Sequence, residues 1–170
     1  MNVVITLPAD LIAAIKNGKK CFELRSRLPR KFYLHQDVVF VCQKGTNKVP
    51  LYFTILKFYT YTKHSDCNDL IAQRAAVPAQ WVDNYMINKD CIHAWVIGYV
   101  CELAYPTSVW HQLQIKHNPQ SFIYTQYEWK RETVNKCFVS DFITYTDMDN
   151  MMHPLREQIK WLTQQKKAVQ

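Results

Sequence analysis

One acidic side chain lies within a strongly basic stretch near the start of the chain. Residues 18 to 31 read GKKCFELRSRLPRK, in which Glu23 is flanked by the cations Lys19, Lys20, Arg25, Arg27, Arg30 and Lys31. Neighbouring cations stabilise an ionised carboxylate, so Glu23 is expected to be charged and to accept a bidentate pair from Arg25 or another basic group. Such a carboxylate can also accept a hydrogen bond from the amino edge of a nucleobase, while the surrounding cations contact phosphates. The stretch therefore indicates a nucleic-acid site, although an internal salt bridge that only fastens a strand fits the same residues.

The positive charge of the protein is concentrated in the first third of the chain. The net charge is +7, and residues 1 to 60 hold ten Lys/Arg against three Asp/Glu, whereas residues 61 to 170 hold eleven of each. A localised excess of cations favours an anionic partner surface, with phosphate as the natural candidate. A solvated lysine-rich face remains the alternative interpretation.

Polar and aromatic residues further along the chain could complete such a site. Gln120 and Ser121 offer an amide and a hydroxyl to a ligand, and Tyr124 or Trp95 offers a stacking face. Aromatic residues are this frequent in ordinary cores, so a core position is favoured for Trp95.

Several classes of protein are disfavoured by the composition. Hydrophobic residues make up 48% and charged residues 21%, which is typical of a globular chain. There is no apolar run long enough to span a membrane and no secretory signal pattern, so a cytoplasmic location is expected. The six cysteines, at positions 21, 42, 67, 91, 101 and 137, lack metal-binding spacing and are predicted to be reduced, mostly buried thiols. No metal or other cofactor is expected, and a nucleophilic role for Cys21 is less favoured than a quiet thiol.

The hydrophobic pattern predicts an α+β fold with an antiparallel or mixed sheet. Strands are predicted at 20–25, 37–43, 50–60, 92–104 and 121–125, and helices at 8–17, 66–76 and 79–87. Within the first strand, Glu23 and Arg25 are predicted to share one face. Beyond residue 126, the helical spacing of Met151, Leu155, Ile159 and Leu162 predicts a C-terminal helical extension that packs on the domain, forms a dimer contact or recruits a protein partner.

The basic stretch resembles the hallmark of a known family, the ASCH domains of the PUA-like superfamily. Gly18, Lys20, Glu23 and Arg25 match its G-x-K-x-x-E-x-R pattern, and the preceding ITLPADLIAAIKNGKK is similar to the usual lead-in of a strand and a helix. The segments AQWVDNYMINKDCIHAWVIGYVCELAYP and NPQSFIY are similar to later segments of bacterial and phage members. This resemblance implies a small curled β-barrel flanked by helices over residues 1–126, and the predicted helical extension, residues 127–170, lies outside it. It also implies a cleft whose wall carries the motif.

The resemblance leaves two kinds of function open for that cleft. Related PUA-like modules bind RNA or modified bases, so the first hypothesis is a nucleic-acid binding module that uses Lys19, Lys20, Glu23, Arg25, Arg27, Arg30, Lys31, Gln120, Ser121 and Tyr124. The alternative is a nucleotide-directed hydrolase, a ribonuclease or an amidohydrolase, in which Lys20 and Glu23 are catalytic. The family's amidohydrolases have a threonine where Glu23 stands and a downstream glutamate, and this chain has no glutamate between residues 24 and 101. That departure weighs against the amidohydrolase chemistry.

Overall fold

The structure is a computed structural model that describes residues 1–34, 36–63, 67–127 and 134–139. Its strands are β1 (Asn2–Leu7), β2 (Phe22–Arg25), β3 (Val38–Gln43), β4 (Leu51–Thr62), β5 (Cys91–Leu103), β6 (Phe122–Thr125) and β7 (Val134–Val139). Its helices are α1 (Ala9–Lys16), α2 (Asn68–Ala75), α3 (Ala79–Met86) and α4 (Pro106–Gln112). None of the helices in the described ranges is long and apolar enough to cross a membrane.

The strands form one mixed sheet that curls into a half-barrel. Their order is β2-β5-β4-β3-β1-β6, and β7 pairs with β5 outside this path. Strands β1 and β3 are parallel, whereas the other pairs are antiparallel. The register of β4 against β5 shifts between Phe53 and Ile55 and again between Ile55 and Phe58, and such irregularities increase local bending. The predicted α+β class and the curled, mixed sheet flanked by helices are confirmed.

The connection from α1 to β2 sets the position of the basic motif. Helix α1 follows Pro8 in an extended conformation, carries Asp10 in its first turn, and buries Ile12 and Ile15. After the helix, Gly18 has φ of 78°, a left-handed conformation that glycine adopts without a Cβ clash. The chain then turns directly into β2, so the motif runs from a helix end into a strand within a few residues.

Both faces of β2 are buried, and each has a different environment. Phe22 and Leu24 pack in a cluster with α2 and α3, whose contributions include Ile71 and Val82. Glu23 lies on the opposite face and is only 3% exposed. The expectation of a shared face for Glu23 and Arg25 is confirmed by their ion pair. A strand that is apolar on one side therefore carries a buried carboxylate on the other.

The main core fills the half-barrel and includes one of the two predicted stacking residues. Trp95 has no exposed surface and packs edge-on against Phe58 and Phe122 at centroid distances of 6.1 and 5.6 Å. It offers no face to a ligand, and the predicted core position of Trp95 is confirmed.

The cysteine prediction is wrong for one pair. Cys101 of β5 and Cys137 of β7 are directly opposite each other and form a disulfide, although 36 residues separate them in sequence. Cys21 and Cys42 are free and buried, as predicted, and burial raises the pKa of the Cys42 thiol to about 12. Sequence spacing does not detect a pair that strand register brings together.

The region beyond residue 126 contains a strand that the periodicity did not predict. Strand β7 pairs with β5 over Tyr99 to Leu103, so at least this part of the predicted extension belongs to the sheet. The helical stripe predicted around Met151 to Leu162 lies outside the described residues, and the boundary at 126 stays a prediction. Helix α4, with Pro106 in its first turn, was also not predicted.

Candidate functional site

A cavity of about 400 Å³ opens beside the basic motif, and we call it the motif cavity. Its wall is assembled from the end of β1, the start of α1, Lys20 and the strand β2, the α2–α3 region, and the residues just before β6. Residues far apart in sequence, such as Thr6, Trp81 and Gln120, line the same space. The volume is within the range of small-molecule sites.

Lys20 is a buried cation that contacts both the motif strand and the end of α2. Its ammonium donates to the main-chain oxygens of Phe22 at 2.7 Å and Ala75 at 3.1 Å, and it lies 3.1 Å from Glu23 Oε2. The residue is 3% exposed. An ammonium has three protons, and two of them are donated to these main-chain oxygens, while the carboxylate of Glu23 compensates the charge. Lys20 thus ties the motif strand to the end of α2.

Glu23 is shared between two cations. Its Oε1 lies 2.8 Å from Arg25 Nη2, while Oε2 faces Lys20. Arg25 uses its other terminal nitrogen to donate to the main-chain oxygen of Ser121 at 2.9 Å. The predicted ion pair between Glu23 and Arg25 is present, but the prediction that it is bidentate is wrong. Only one terminal nitrogen of Arg25 contacts Glu23, because the other donates to Ser121. The arginine thereby joins β2 to the segment before β6.

Three polar atoms of the cavity-lining residues lack hydrogen-bond partners among the described residues. They are Thr6 Oγ1, Glu23 Oε2 and Arg25 Nε. Glu23 Oε2 is close to Lys20 Nζ in distance, yet the pair is an ion pair without hydrogen-bond geometry. Each of the three atoms has almost no exposed surface, although the residues that carry them line the cavity. Two potential acceptors and one donor therefore lie in the wall of one cavity.

An aromatic pair on α3 forms another side of the motif cavity. Trp81 and Tyr85 stack with ring centroids 5.0 Å apart and an interplanar angle of 20°. Trp81 is 41% exposed, which is high for the largest apolar side chain. The i, i+4 spacing of the two rings on one helix was the sequence signal for this feature, and we did not predict it.

A second concavity of about 730 Å³ adjoins the first, and we call it the basic hollow. Arg27, Arg30, Lys31 and His93 line it together with the rings of Phe122 and Tyr124. The Tyr124 hydroxyl accepts a hydrogen bond from the main-chain N–H of Lys31 at 3.1 Å. Ser26 lines both concavities. The two sites are therefore neighbours.

The predicted site residues divide between these two concavities. Five line the motif cavity: Lys20, Glu23, Arg25, Gln120 and Ser121. Four line the basic hollow: Arg27, Arg30, Lys31 and Tyr124. Lys19 is exposed and lines neither, and its main-chain N–H donates to the side chain of Asn17 at 3.2 Å. Cys21 is buried in the cluster around Phe22 and also lines neither.

Comparison with known proteins identifies the fold. No family model and no curated protein matches the sequence. A crystal structure of a mutant ASCH protein from Zymomonas mobilis is similar, with a TM-score of 0.62, 15% identity, and coverage of 74% of this chain and 88% of that one. A second mutant and another crystal structure of ASCH from the same organism each give a TM-score of 0.55 and 16% identity. They cover 74% and 77% of this chain, and 90% and 89% of their own.

Proposed function

We propose, from the ASCH fold of this chain, that it is a nucleic-acid binding module that takes an unstacked base into the motif cavity. The preferred ligand is single-stranded RNA or a modified nucleotide. A base that leaves its stack presents hydrogen-bonding edges and two flat faces, and single-stranded RNA offers such bases. The residues of the cavity are suited to both kinds of contact.

The observation that carries this proposal is the group of unpartnered polar atoms in the cavity wall. A buried polar atom without a partner costs about 1–3 kcal/mol, so a native structure that keeps several in one place calls for an explanation. The Glu23 carboxylate accepts from an amino or imino group, the Arg25 Nε–H donates to a ring nitrogen or carbonyl, and the Thr6 hydroxyl does either. Every nucleobase edge has donors and acceptors side by side. A base would satisfy atoms that are otherwise left unsatisfied.

The aromatic pair supports the same assignment. Stacking of a base on an aromatic side chain contributes about 1–3 kcal/mol and tolerates different bases. The exposed Trp81 is backed by Tyr85, and Lys89 Nζ lies 4.1 Å from the centroid of the Tyr85 ring. Trp81 therefore supplies the stacking face that Trp95, with no exposed surface, does not.

The hydrolase alternative receives less support from the contacts of Lys20. A catalytic lysine needs a lone pair or a proton directed at the substrate. The Lys20 ammonium is directed instead at two main-chain oxygens and at Glu23. These contacts favour a structural role for the lysine and a binding role for the cavity.

Fluorescence anisotropy with a short labelled single-stranded RNA of mixed sequence tests the proposal. Trp81→Ala is expected to weaken binding by about 1–3 kcal/mol, which corresponds to roughly 5- to 150-fold in Kd. Tyr105→Ala is the matched control, because Tyr105 is an aromatic residue that is 62% exposed and lines neither concavity. Equal affinities for the Trp81 variant and the unmodified chain would refute the stacking role.

The same RNA, incubated with the protein and run on a denaturing gel, separates binding from hydrolysis. Intact RNA in the presence of tight binding supports the binding module. Cleavage that Glu23→Gln abolishes without loss of folding would support the hydrolase instead.

A further inference from the structure

We propose that the basic hollow binds the phosphate of the nucleotide whose base enters the motif cavity. The ligand is then a nucleotide or a strand, and a free nucleoside is a poor substitute. This inference rests on the proposed function and adds a second subsite to it, with His93 as a member that the sequence did not indicate.

The polar side chains around the basic hollow have an uncompensated positive charge. Arg27, Arg30 and Lys31 are exposed, and none of them forms an ion pair within the described part of the chain. The next acidic residue along the chain after Glu23 is Asp37, and its Oδ1 forms an ion pair with the N-terminal ammonium of Met1 at 2.7 Å. No carboxylate lines the hollow among the described residues. Such a surface attracts anions, and guanidinium groups match the geometry of phosphate oxygens.

The loop that carries these cations is anchored at several points. Phe32 is buried in the main core and packs edge-on against Phe58 at a centroid distance of 6.4 Å. Lys31 is fixed through its main-chain N–H to the Tyr124 hydroxyl, as described above. The loop therefore presents its cations from a defined backbone position, which reduces the entropy lost on binding. Lysines on an unanchored surface loop would lack this advantage.

His93 connects the two concavities. It is the direct cross-strand partner of Arg25, which lines the motif cavity, while its own ring lines the basic hollow. Its Nδ1 lies 2.9 Å from Thr60 Oγ1, and its Nε2 lies 3.8 Å from Cys91 Sγ. These contacts hold the ring in place beside the cations. The imidazole thus forms a fixed part of the wall of the basic hollow, next to the strand that carries Arg25.

The continuity of the two sites determines the class of ligand. Ser26 lines both, and it follows Arg25 and precedes Arg27 along the chain. In a nucleotide, the base and the phosphate are joined through one sugar, so neighbouring sites for a flat heterocycle and for an anion match that covalent order. A nucleoside would occupy the motif cavity and leave the cations without a partner.

The test compares nucleosides with nucleotides as competitors of the labelled RNA. The common ribonucleosides, their 3′- and 5′-monophosphates and inorganic phosphate are titrated against the complex of the full chain with RNA. A monophosphate is expected to compete about ten-fold or more better than its nucleoside, because charge-assisted hydrogen bonds are the stronger class. In the double variant Arg30→Gln/Lys31→Gln, the inhibition constants of a monophosphate and of its nucleoside are expected to become about equal.

A matched variant controls for the loss of charge alone. Lys44→Gln/Lys48→Gln removes the same net charge from exposed positions that line neither concavity. Its preference for monophosphates should equal that of the unmodified chain. For Arg30→Gln/Lys31→Gln, the slope of log affinity against log salt concentration is expected to become shallower by about 0.7 for each RNA phosphate that the protein no longer neutralises.

The outcomes distinguish this inference from the proposed function. Equal competition by nucleosides and monophosphates, with RNA binding still dependent on Trp81, overturns the phosphate subsite and leaves the base cavity in place. An equal loss of preference in the two double variants also overturns it, since the effect would then be a general one of charge. If the unmodified chain binds neither RNA nor nucleotides, both proposals fail.

Discussion

Substitution of Glu23 by glutamine removes one charge from a buried group of three. The side chain keeps its shape, but Lys20 and Arg25 lose the carboxylate that they share. The side chains of Lys20, Glu23 and Arg25 are 2%, 4% and 11% exposed, so water does not replace the missing partner. Lys20 keeps its two main-chain acceptors, and Arg25 keeps the carbonyl of Ser121.

The expected loss of stability is large for a single substitution. Removing one partner of a buried ion pair costs about 3–5 kcal/mol, because it leaves an uncompensated charge in a poorly solvated place. Domains of this size lose roughly 2–4 °C in melting temperature per kcal/mol, so Glu23→Gln is expected to melt about 6–20 °C lower. Circular dichroism during thermal unfolding, together with urea denaturation, measures both quantities.

The chain provides a control with the same chemistry at the surface. Glu102 pairs with Lys16 at 2.7 Å, and their side chains are 24% and 35% exposed. Pairs of this kind contribute about 0–1 kcal/mol, so Glu102→Gln should leave the melting temperature nearly unchanged. Equal melting temperatures for Glu23→Gln and Glu102→Gln would refute the reasoning. Glu23 would then be solvated, and the motif cavity would not have a buried acid in its wall.

Further predictions concern other parts of the molecule. Desolvation lowers the pKa of His93, so the folded state resists protonation of this residue. The stability that the neutral imidazole contributes is complete above pH 6.5, and it is expected to fall as the pH drops through the lower folded-state pKa. The melting temperature of His93→Gln, measured across this range, should fall less with decreasing pH than that of the unmodified chain. Cys137→Ser is expected to cost about 2–4 kcal/mol by removing the disulfide with Cys101, and peptide mapping without reductant should recover the linked pair. Gly45→Ala should cost about 1 kcal/mol by thermal melting, because Gly45 has φ of +75° while an added Cβ meets no atom within 4 Å; an unchanged melting temperature would contradict the strain argument. Deleting residues 127–170 removes β7 from the edge of β5 and is expected to lower stability; a deletion that melts like the full chain would support the predicted domain boundary at residue 126.

Local patterns predicted much of the fold, because strands and helices depend on periodicity and capping within short windows. The alternation in β2 placed Glu23 and Arg25 on one face, and the residues around Pro8 and Gly18 predicted the limits of α1 to within a residue or two. The same windows did not predict β7 or α4. Strand β7 pairs with β5, which is more than 30 residues earlier in the chain, and a short sequence window does not include both strands.

The sequence by itself determined the basic motif, the clustering of positive charge and the class of the fold, since each is a property of neighbouring residues. Only the tertiary structure decided that Lys20 is buried against main-chain oxygens, that the Arg25 fork divides between Glu23 and Ser121, and that Trp81 faces the motif cavity. It also brought His93 to the basic hollow and Cys101 to Cys137. These relations depend on strand register and helix packing, which join residues that are distant in the chain, and no local pattern in the sequence encodes them.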